Sequence, residues 1–263
     1  AHTAPANMCF LLLSRVSAAE LGLITRKGCE WRIKKSVDSI EKLEKNKGNL
    51  FNWSEHKNLS VLPPRAVSSV DSANFLACLM TVSEYTFDPE LKKRLEKLIE
   101  ETALSLFYDG ERGLYNIIFE TSLGEGSGHY DLLASESRLL TYLAVSQCGK
   151  LSSWGNLSRH SISYNGNTMM SWSGTAFEYL LPQLFLPDVK YSLITRSVKN
   201  AVRLQIKNKC NGVFGISESG YYKFDGGLRY QYRAFGLEEL SLRREFNKCV
   251  ISPYSTFLAL AYN

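Results

Sequence analysis

The spacing of apolar residues constrains the fold of this 263-residue chain more than any other feature. Over most of the sequence these residues recur every three or four positions, which is the period of an amphipathic α-helix. Together with the polar breaks, this spacing predicts helices at about 5–20, 29–46, 70–85, 89–107, 131–147, 174–182, 189–207 and 251–262. Short hairpin-like pieces are expected at 113–120 and 212–232, where β-branched and aromatic residues cluster between glycines. We therefore expect an all-α protein that forms a single domain over residues 1–263.

The connections between these helices are long and unusually aromatic. They include 51–55, 68–74, 171–175 and 228–232. Trp and Tyr rings stack on the apolar faces of sugars, while Asp, Asn, Gln and Arg side chains hydrogen-bond hydroxyl groups. A plain helical bundle has shorter and more polar connections, so the pattern favours an α/α barrel with a polysaccharide groove. Two of these residues also fit a purely structural role instead of sugar binding: Asp71 can cap the following helix, and Trp172 can be a core anchor.

Two glutamates stand out in unusual surroundings. Glu136 lies in the segment from Tyr130 to Arg138, and Glu218 follows Gly215 between two serines. Most glycosidases need a pair of carboxyl groups, one to protonate the leaving oxygen and one to attack the anomeric carbon or to activate water. On the expected helix Glu136 borders the apolar stripe, where an unpaired carboxylate is costly, although it also fits an exposed polar position. We therefore take both as catalytic candidates, whereas His129 and His160 fit surface or loop positions better.

The composition argues against several other functions. The net charge of +5 is spread along the chain, and the lysines between 34 and 47 alternate with acids, which is typical of a solvated helix face and not of a nucleic-acid site. No apolar run approaches the roughly 18 residues that span a bilayer, and no secretory signal is recognisable. The six cysteines are scattered without metal-ligand spacing, so we expect free thiols, a cytoplasmic location and neither a metal nor an organic cofactor.

Several segments, taken in chain order, resemble one known family. They are 52–53, 62–65, 67–72, 130–136, 170–175, 215–219, 230–236 and 250–256. This series is similar to the glycoamylase-like domain of bacterial cyclic β-1,2-glucan synthases and extends over nearly the whole chain. An ordered series of this kind is far more specific than any single motif.

The resemblance implies an (α/α)6 toroid or barrel of glycoamylase type acting on β-1,2-glucan. In those large membrane-associated synthases, the corresponding domain closes a linear glucan into a ring by transglycosylation. By motif, Glu136 is then expected to be the general acid/base and Glu218 the nucleophile. Substrate contacts are expected from Trp53, Glu55, Asp71, Asn74, Tyr130, Asp131, Arg138, Trp172, Glu178, Tyr221, Tyr222, Tyr230 and Gln231.

The chain also departs from this family. It has Ser54-Glu55 after Asn52-Trp53, where relatives commonly have Tyr-Asp, and Ala66 replaces a usual tyrosine. The expected helices are fewer than an (α/α)6 barrel contains, so we expect either a fragment of a larger, inner-membrane-associated enzyme or a shortened homologue with an incomplete barrel. In either case exposed helix faces favour self-association. Three functions remain open: a cyclising transglycosylase, an endo-β-1,2-glucanase, and a non-catalytic glucan-binding module.

Overall fold

A computed structural model describes residues 2–221, 223–244 and 250–262. Contacts between residues divide the chain into two compact units. The N-terminal unit comprises residues 1–130 and 140–156, and the C-terminal unit comprises residues 131–139 and 157–263. The expectation of one domain over residues 1–263 stays a prediction.

Helices are the main elements of both units. They are α1 (Pro5–Glu20), α2 (Arg26–Lys42), α3 (Ser69–Tyr85), α4 (Pro89–Glu101), α5 (Ser137–Cys148), α6 (Ser152–Asn156), α7 (Ala176–Leu180), α8 (Leu193–Lys207) and α9 (Pro253–Ala259). Short 3₁₀ turns lie at Leu104–Phe107, Leu181–Leu184, Glu238–Leu240 and Leu260–Tyr262. Each predicted helix corresponds to an observed one, and the short α6 was not predicted. The helix expected from residue 131 begins only at Ser137, so Glu136 lies in the turn before α5 and not on the helix.

The strands are short. They are β1 (His2–Thr3), β2 (Lys45–Asn46), β3 (Asn49–Leu50), β4 (Ser54–Glu55), β5 (Ala66–Ser68), β6 (Tyr108–Asp109), β7 (Leu114–Glu120), β8 (Glu125–Tyr130), β9 (Ser161–Ser163), β10 (Asn167–Met169), β11 (Ser219–Gly220) and β12 (Tyr232–Arg233). The largest sheet has β7 between β5 and β6, with β8 also paired to β7. The hairpin expected at 113–120 is therefore one strand of a larger antiparallel sheet, and the one expected within 212–232 is the β11–β12 pair, which extends one residue further to Arg233.

Capping side chains and apolar stripes explain where the helices form. The hydroxyl of Thr25 accepts from the N–H of Gly28 at the start of α2, and Ser192 plays the same role for α8. The buried residues of α4, Leu91, Leu95 and Leu98, recur at helical spacing. Helix α3 differs, because consecutive residues from Ser72 to Leu79 are all buried. It packs against α1 and α4 and forms the centre of the N-terminal unit.

The cysteines do not all match the prediction of free thiols. Cys9, Cys29, Cys78 and Cys148 are free, and the first three are buried. Cys210 is disulfide-bonded, so the prediction is wrong at that position. Cys249 lies outside the described residues.

Two kinds of feature are absent from the described residues. No helix among them is long and apolar enough to cross a membrane. In the same part of the chain, no group of three or more His, Cys, Asp and Glu side chains is placed to hold a metal ion.

Asp88 offers a test of the capping argument at α4. Its carboxylate accepts from the N–H groups of Glu90 (3.0 Å) and Leu91 (3.2 Å), and Pro89 occupies the first helical position. Asp88→Ala should lower the free energy of unfolding by about 1 kcal/mol, because two N–H groups lose their acceptor. Urea denaturation measures the change. Asp88→Asn is the matched control, since it keeps an acceptor and should lose much less; equal losses in both variants would contradict the capping role.

Candidate active site

Glu178 shapes the loop that precedes α7 in the C-terminal unit. It is only 6% exposed, and its Oε1 accepts from the N–H groups of Trp172 (3.0 Å) and Ser173 (3.2 Å). Oε2 accepts from the hydroxyl of Ser171 (2.9 Å) and from the N–H and hydroxyl of Thr175 (2.9 Å each). Burial raises the pKa of Glu178, and the bonds from Thr175, Ser171 and Ser173 oppose that rise. The loop is thus wound around one buried carboxylate.

Two glycines allow a close backbone approach behind this loop. Gly174 has φ of +70°, and a Cβ at that position would lie 2.3 Å from the carbonyl oxygen of Leu237. A Cβ on Gly236 would lie 2.2 Å from the carbonyl oxygen of Ser173. The N–H of Leu237 donates to Gly174 O at 2.9 Å. Only glycine fits at both positions, so the loop is fixed from outside as well as from within.

Trp172 connects this loop to the segment that carries Glu136. Its indole N–H donates to Oδ1 of Asp131 at 3.0 Å. The guanidinium of Arg243 lies over the indole ring, 4.8 Å from its centroid, and the N–H of Arg243 donates to Trp172 O at 2.9 Å. Asp131 and Trp172, which the sequence predicts as sugar contacts, are therefore brought together.

Glu136 lies in a short segment with a well-defined backbone. The N–H of Ser158 donates to Asp131 O at 2.6 Å, and the hydroxyl of Ser135 donates to Leu132 O at 2.7 Å. These bonds replace the helical ones that the sequence analysis expected here. Glu136 itself is half-buried in the turn that leads into α5.

The backbone around Glu218 is held by side chains from two helical segments. The amide of Gln205, on α8, donates to Ile216 O and accepts from Ile216 N–H, both at 2.8 Å. The hydroxyl groups of Ser252 and Tyr254 donate to the carbonyl oxygen of Glu218 at 2.5 and 3.0 Å. Each of these partners lies in a helix or is its capping residue. The backbone position of Glu218 is therefore fixed.

The carboxyl group of Glu218 is half-buried and interacts with Tyr232. The hydroxyl of Tyr232 donates to Oε2 of Glu218. Burial raises the pKa of Glu218 to about 7, the bond from Tyr232 lowers it, the charge of Glu178 raises it, and the charge of Arg243 lowers it. A carboxyl group with this pKa exists in both forms near neutral pH, as general acids and bases require.

The two glutamates belong to one electrostatic cluster. Burial raises the pKa values of Tyr232 and Tyr254, and the negative charges of Glu218 and Glu136 raise them further. Both carboxylates therefore act on the same two phenols of the C-terminal unit.

A small cleft lies on another side of Ile216. It has a volume of about 240 Å³. Neither Glu136 nor Glu218 lines it; its walls are formed by Lys207, Asn208, Lys209, Ile216, Gly236, Leu237, Glu238 and Glu239.

Arg138, one of the predicted sugar contacts, is buried. It is 1% exposed, its Nη2 donates to Tyr179 O at 2.6 Å, and its Nε and Nη1 have no hydrogen-bond partner among the described residues. Burial lowers its pKa to about 10. Glu178 is buried in the same way, with both oxygens occupied. Both side chains hold parts of the C-terminal unit together, and their contact with a sugar stays a prediction.

The remaining predicted contacts of the C-terminal unit lie on the β11–β12 hairpin. Tyr230 is 65% exposed, and Tyr221 and Gln231 are half-buried. Tyr222 lies outside the described residues. The exposure of Tyr230 leaves its ring available for stacking on a sugar.

Five predicted contacts lie in the N-terminal unit. Trp53 is 37% exposed and meets the ring of His2 edge-on, with centroids 4.7 Å apart. The carboxylate of Glu55 accepts from the N–H groups of Lys57 (2.7 Å) and Asn58 (3.1 Å), so it also closes a local turn.

The other three differ in burial. Asn74 is 3% exposed within α3, and its role as a sugar contact stays a prediction. Asp71 lies in the first turn of α3, where burial raises its pKa and bonds from Ser68 and the N–H of Ala6 oppose that rise. Tyr130 ends β8 and is half-buried.

Four residues of the candidate site are not predicted from the sequence. These are Gln205, Tyr232, Arg243 and Tyr254. A signal existed for Gln205, which is a polar residue among the buried Ala201, Val202 and Leu204 of α8. Tyr232, Arg243 and Tyr254 join the site through contacts with residues far away in the sequence. Apolar periodicity carries no information about such contacts.

The Glu178 carboxylate leads to a stability prediction. Glu178→Gln places an amide NH₂ where one oxygen now receives hydrogen bonds, so donors would face donors. We expect a loss of about 1–3 kcal/mol in the free energy of unfolding, measured by chemical denaturation. The control is Glu238→Gln at an exposed position, which should change the stability little. A wild-type stability in Glu178→Gln would rule out the organising role of this carboxylate.

A second prediction follows from the raised pKa of Glu218. In the unfolded chain this carboxyl group ionises near its usual value of about 4.3, whereas in the folded protein its pKa is about 7. The folded state therefore binds the proton more tightly, and its stability relative to Glu218→Gln should fall as pH rises from about 4 to about 7. Thermal unfolding of both proteins across this range tests the sign. If the difference in stability between wild type and Glu218→Gln does not change with pH, the raised pKa of Glu218 is contradicted.

The chain is similar in sequence to part of one much longer protein. No protein-family model matches the chain. It is 32% identical over 180 residues to the cyclic β-(1,2)-glucan synthase NdvB of Rhizobium meliloti (strain 1021), an alignment that covers 66% of this chain and 6% of that protein. The chain therefore corresponds to a small part of a much longer relative.

Solved structures share the fold at low sequence identity. The endo-β-1,2-glucanase from Chitinophaga pinensis, in complex with sophorotriose and glucose, matches with a TM-score of 0.76 and 17% identity, over 99% of this chain and 69% of that one. The endo-β-1,2-glucanase from Talaromyces funiculosus, in complex with sophorose, matches with a TM-score of 0.77 and 15% identity, over 100% of this chain and 64% of that one. The predicted fold class is confirmed. The chain resembles part of a cyclic β-1,2-glucan synthase in sequence and has the glycoamylase-type α/α fold.

Proposed function

We propose that this chain is a carbohydrate-active enzyme domain that closes linear β-1,2-glucan into rings by retaining transglycosylation. The observation that carries the proposal is the cluster in which Glu136 and Glu218 act on the same two tyrosines. The name of the aligned relative and the sugars bound in the two solved structures support β-1,2-glucan as the substrate class.

The reaction begins with a carboxylate attack on the anomeric carbon. One oxygen of Glu218 forms a bond to that carbon while the glycosidic bond breaks, and Glu136 gives its proton to the departing oxygen. The glucan chain then remains tethered to Glu218 through its anomeric carbon. In the second step a hydroxyl at the far end of the same chain gives its proton to Glu136 and attacks the anomeric carbon, which releases Glu218 and closes the ring. Exclusion of water from the acceptor side favours transfer over hydrolysis.

The assignment of roles within the pair has an alternative. The pKa of Glu218, raised to about 7 by burial, is a property that general acids need. This observation favours the reverse assignment, with Glu218 as the acid/base and Glu136 as the nucleophile. The proposal keeps Glu218 as the nucleophile because Tyr232 donates to its carboxylate, a contact that favours the ionised form.

The second candidate function is an endo-β-1,2-glucanase. It is favoured by the two solved structures of glucanases with the same fold. In that case water takes the place of the chain's own hydroxyl in the second step. The third candidate is a non-catalytic glucan-binding module, which the altered Ser54-Glu55 segment suggests.

Cellular context is also part of the proposal. Attachment to a larger, inner-membrane-associated enzyme, a cytoplasmic location and self-association through exposed helix faces remain predictions.

Product analysis with linear β-1,2-glucan tests the function. Wild-type protein should form products that weigh one water less than linear chains, with no gain in reducing ends. Glu136→Gln and Glu218→Gln should each lower the rate by about 10²- to 10⁴-fold, while the exposed control Glu125→Gln should retain it. New reducing ends without rings would identify the glucanase. Glucan binding without turnover in any of the proteins would identify the binding module.

Azide rescue separates the roles of the two glutamates. With an aryl glycoside donor, a variant without its nucleophile, Glu218→Gly, should give an α-glycosyl azide, because azide attacks from the face that the carboxylate has left. Glu136→Gly should give a β-glycosyl azide through the intact covalent intermediate. The opposite pattern would exchange the two roles.

A further inference from the structure

Tyr232 contacts only one oxygen of the Glu218 carboxylate. Its hydroxyl donates to Oε2, and in the part of the chain that the structure describes no donor reaches Oε1. Tyr232 on β12 is paired with Gly220 on β11, two residues beyond Glu218. Residues in this diagonal relation on an antiparallel pair lie within reach of an aromatic side chain. The register of the hairpin thus brings the phenol to one side of the carboxylate.

The main chain of Glu218 does not depend on this contact. Its carbonyl oxygen accepts from Ser252 and Tyr254, and Gln205 holds the backbone of Ile216 two residues earlier. Removal of the Tyr232 hydroxyl therefore leaves the backbone bonds in place. Its removal frees rotation about the last torsion of the Glu218 side chain. The distribution of this torsion angle is broad and nearly two-fold when no partner fixes it.

We propose that Tyr232 is a positioning residue that holds Oε2 of Glu218, so that Oε1 is the oxygen that reacts with the sugar. This inference rests on the proposed function and adds to it the identity of the reacting atom. In the first step Oε1 forms the bond to the anomeric carbon with one of its electron pairs, and Oε2 keeps its hydrogen bond from the phenol. Because the carboxylate is held in one orientation, less conformational entropy is lost when it reaches the geometry of attack.

The same contact has an electrostatic consequence. A hydrogen bond donated to a carboxylate favours the ionised form, so loss of the Tyr232 hydroxyl should raise the pKa of Glu218 further. The other charges that act on Glu218 are those of Glu178 and Arg243, while Glu136 and Tyr254 act on the cluster through Tyr232. A single-residue change at Tyr232 alters none of these other charges.

The kinetic test compares Tyr232→Phe with Tyr254→Phe. Tyr232→Phe should lower kcat/KM by about 10-fold or more, mostly through kcat, and should move the acidic limb of the pH profile upward by about one pH unit. Tyr254→Phe removes a donor to the Glu218 carbonyl oxygen but leaves Oε2 untouched, so its acidic limb should stay at the wild-type pH. An unshifted limb in Tyr232→Phe, or an equal shift in both variants, would overturn the proposal.

A titration that needs no turnover makes the test independent of the proposed function. Glutamate labelled with ¹³C at the carboxyl carbon gives one NMR signal per side chain, and Glu218→Gln identifies the signal of Glu218. The signal should titrate at a higher pH in Tyr232→Phe than in wild type, and an unchanged midpoint would overturn the role of Tyr232. If wild-type protein does not turn over glucan, the proposed function fails while this titration still decides whether Tyr232 controls Glu218.

Discussion

The buried carboxylate of Glu178 is the interaction on which the rest of the site depends. Moving an ionised group out of water is costly unless donors replace the lost hydration. Here the loop from Ser171 to Thr175 supplies those donors, and in doing so it adopts the shape that places Trp172 against Asp131. The same negative charge raises the pKa of Glu218. One buried side chain thus affects both the shape of the candidate site and the pKa of Glu218.

Glu218 shows a second use of side chains in place of regular secondary structure. A neighbouring strand would normally supply the donor and acceptor for the backbone of Ile216, and the amide of Gln205 supplies both instead. Ser252 and Tyr254 complete the arrangement at the carbonyl group of Glu218, two residues further along the chain. Because these bonds come from α8 and from the cap and first turn of α9, the backbone at Glu218 is anchored to helices although it lies in irregular chain.

The sequence predicts the helices well because their signal is local. Apolar periodicity identifies α1, α3 and α8 to within a few residues. It fails at Glu136, where Ser135 and Ser158 hold the backbone in a turn that periodicity reads as helix. Motifs identify the candidate pair Glu136 and Glu218. The contact of Tyr232 with Glu218, in contrast, joins residues 14 positions apart and depends on the register of a hairpin.

Burial is the other property that the sequence does not reveal. Arg138 has the side-chain chemistry of a sugar ligand, and so does Asn74, yet both are enclosed by the fold. The disulfide at Cys210 likewise reflects a tertiary proximity that cysteine spacing alone does not show.

The contact between Gly174 and Gly236 has a consequence for how such a site can evolve. Any side chain at either position would collide with backbone, so substitutions there are excluded regardless of the sugar that the protein uses. The exposed side chain of Tyr230 has no such restriction. Inheritance would therefore preserve the two glycines while the position of Tyr230 diversifies, and libraries intended to change the accepted glucan should randomise that exposed position and leave the glycines and Tyr232 alone.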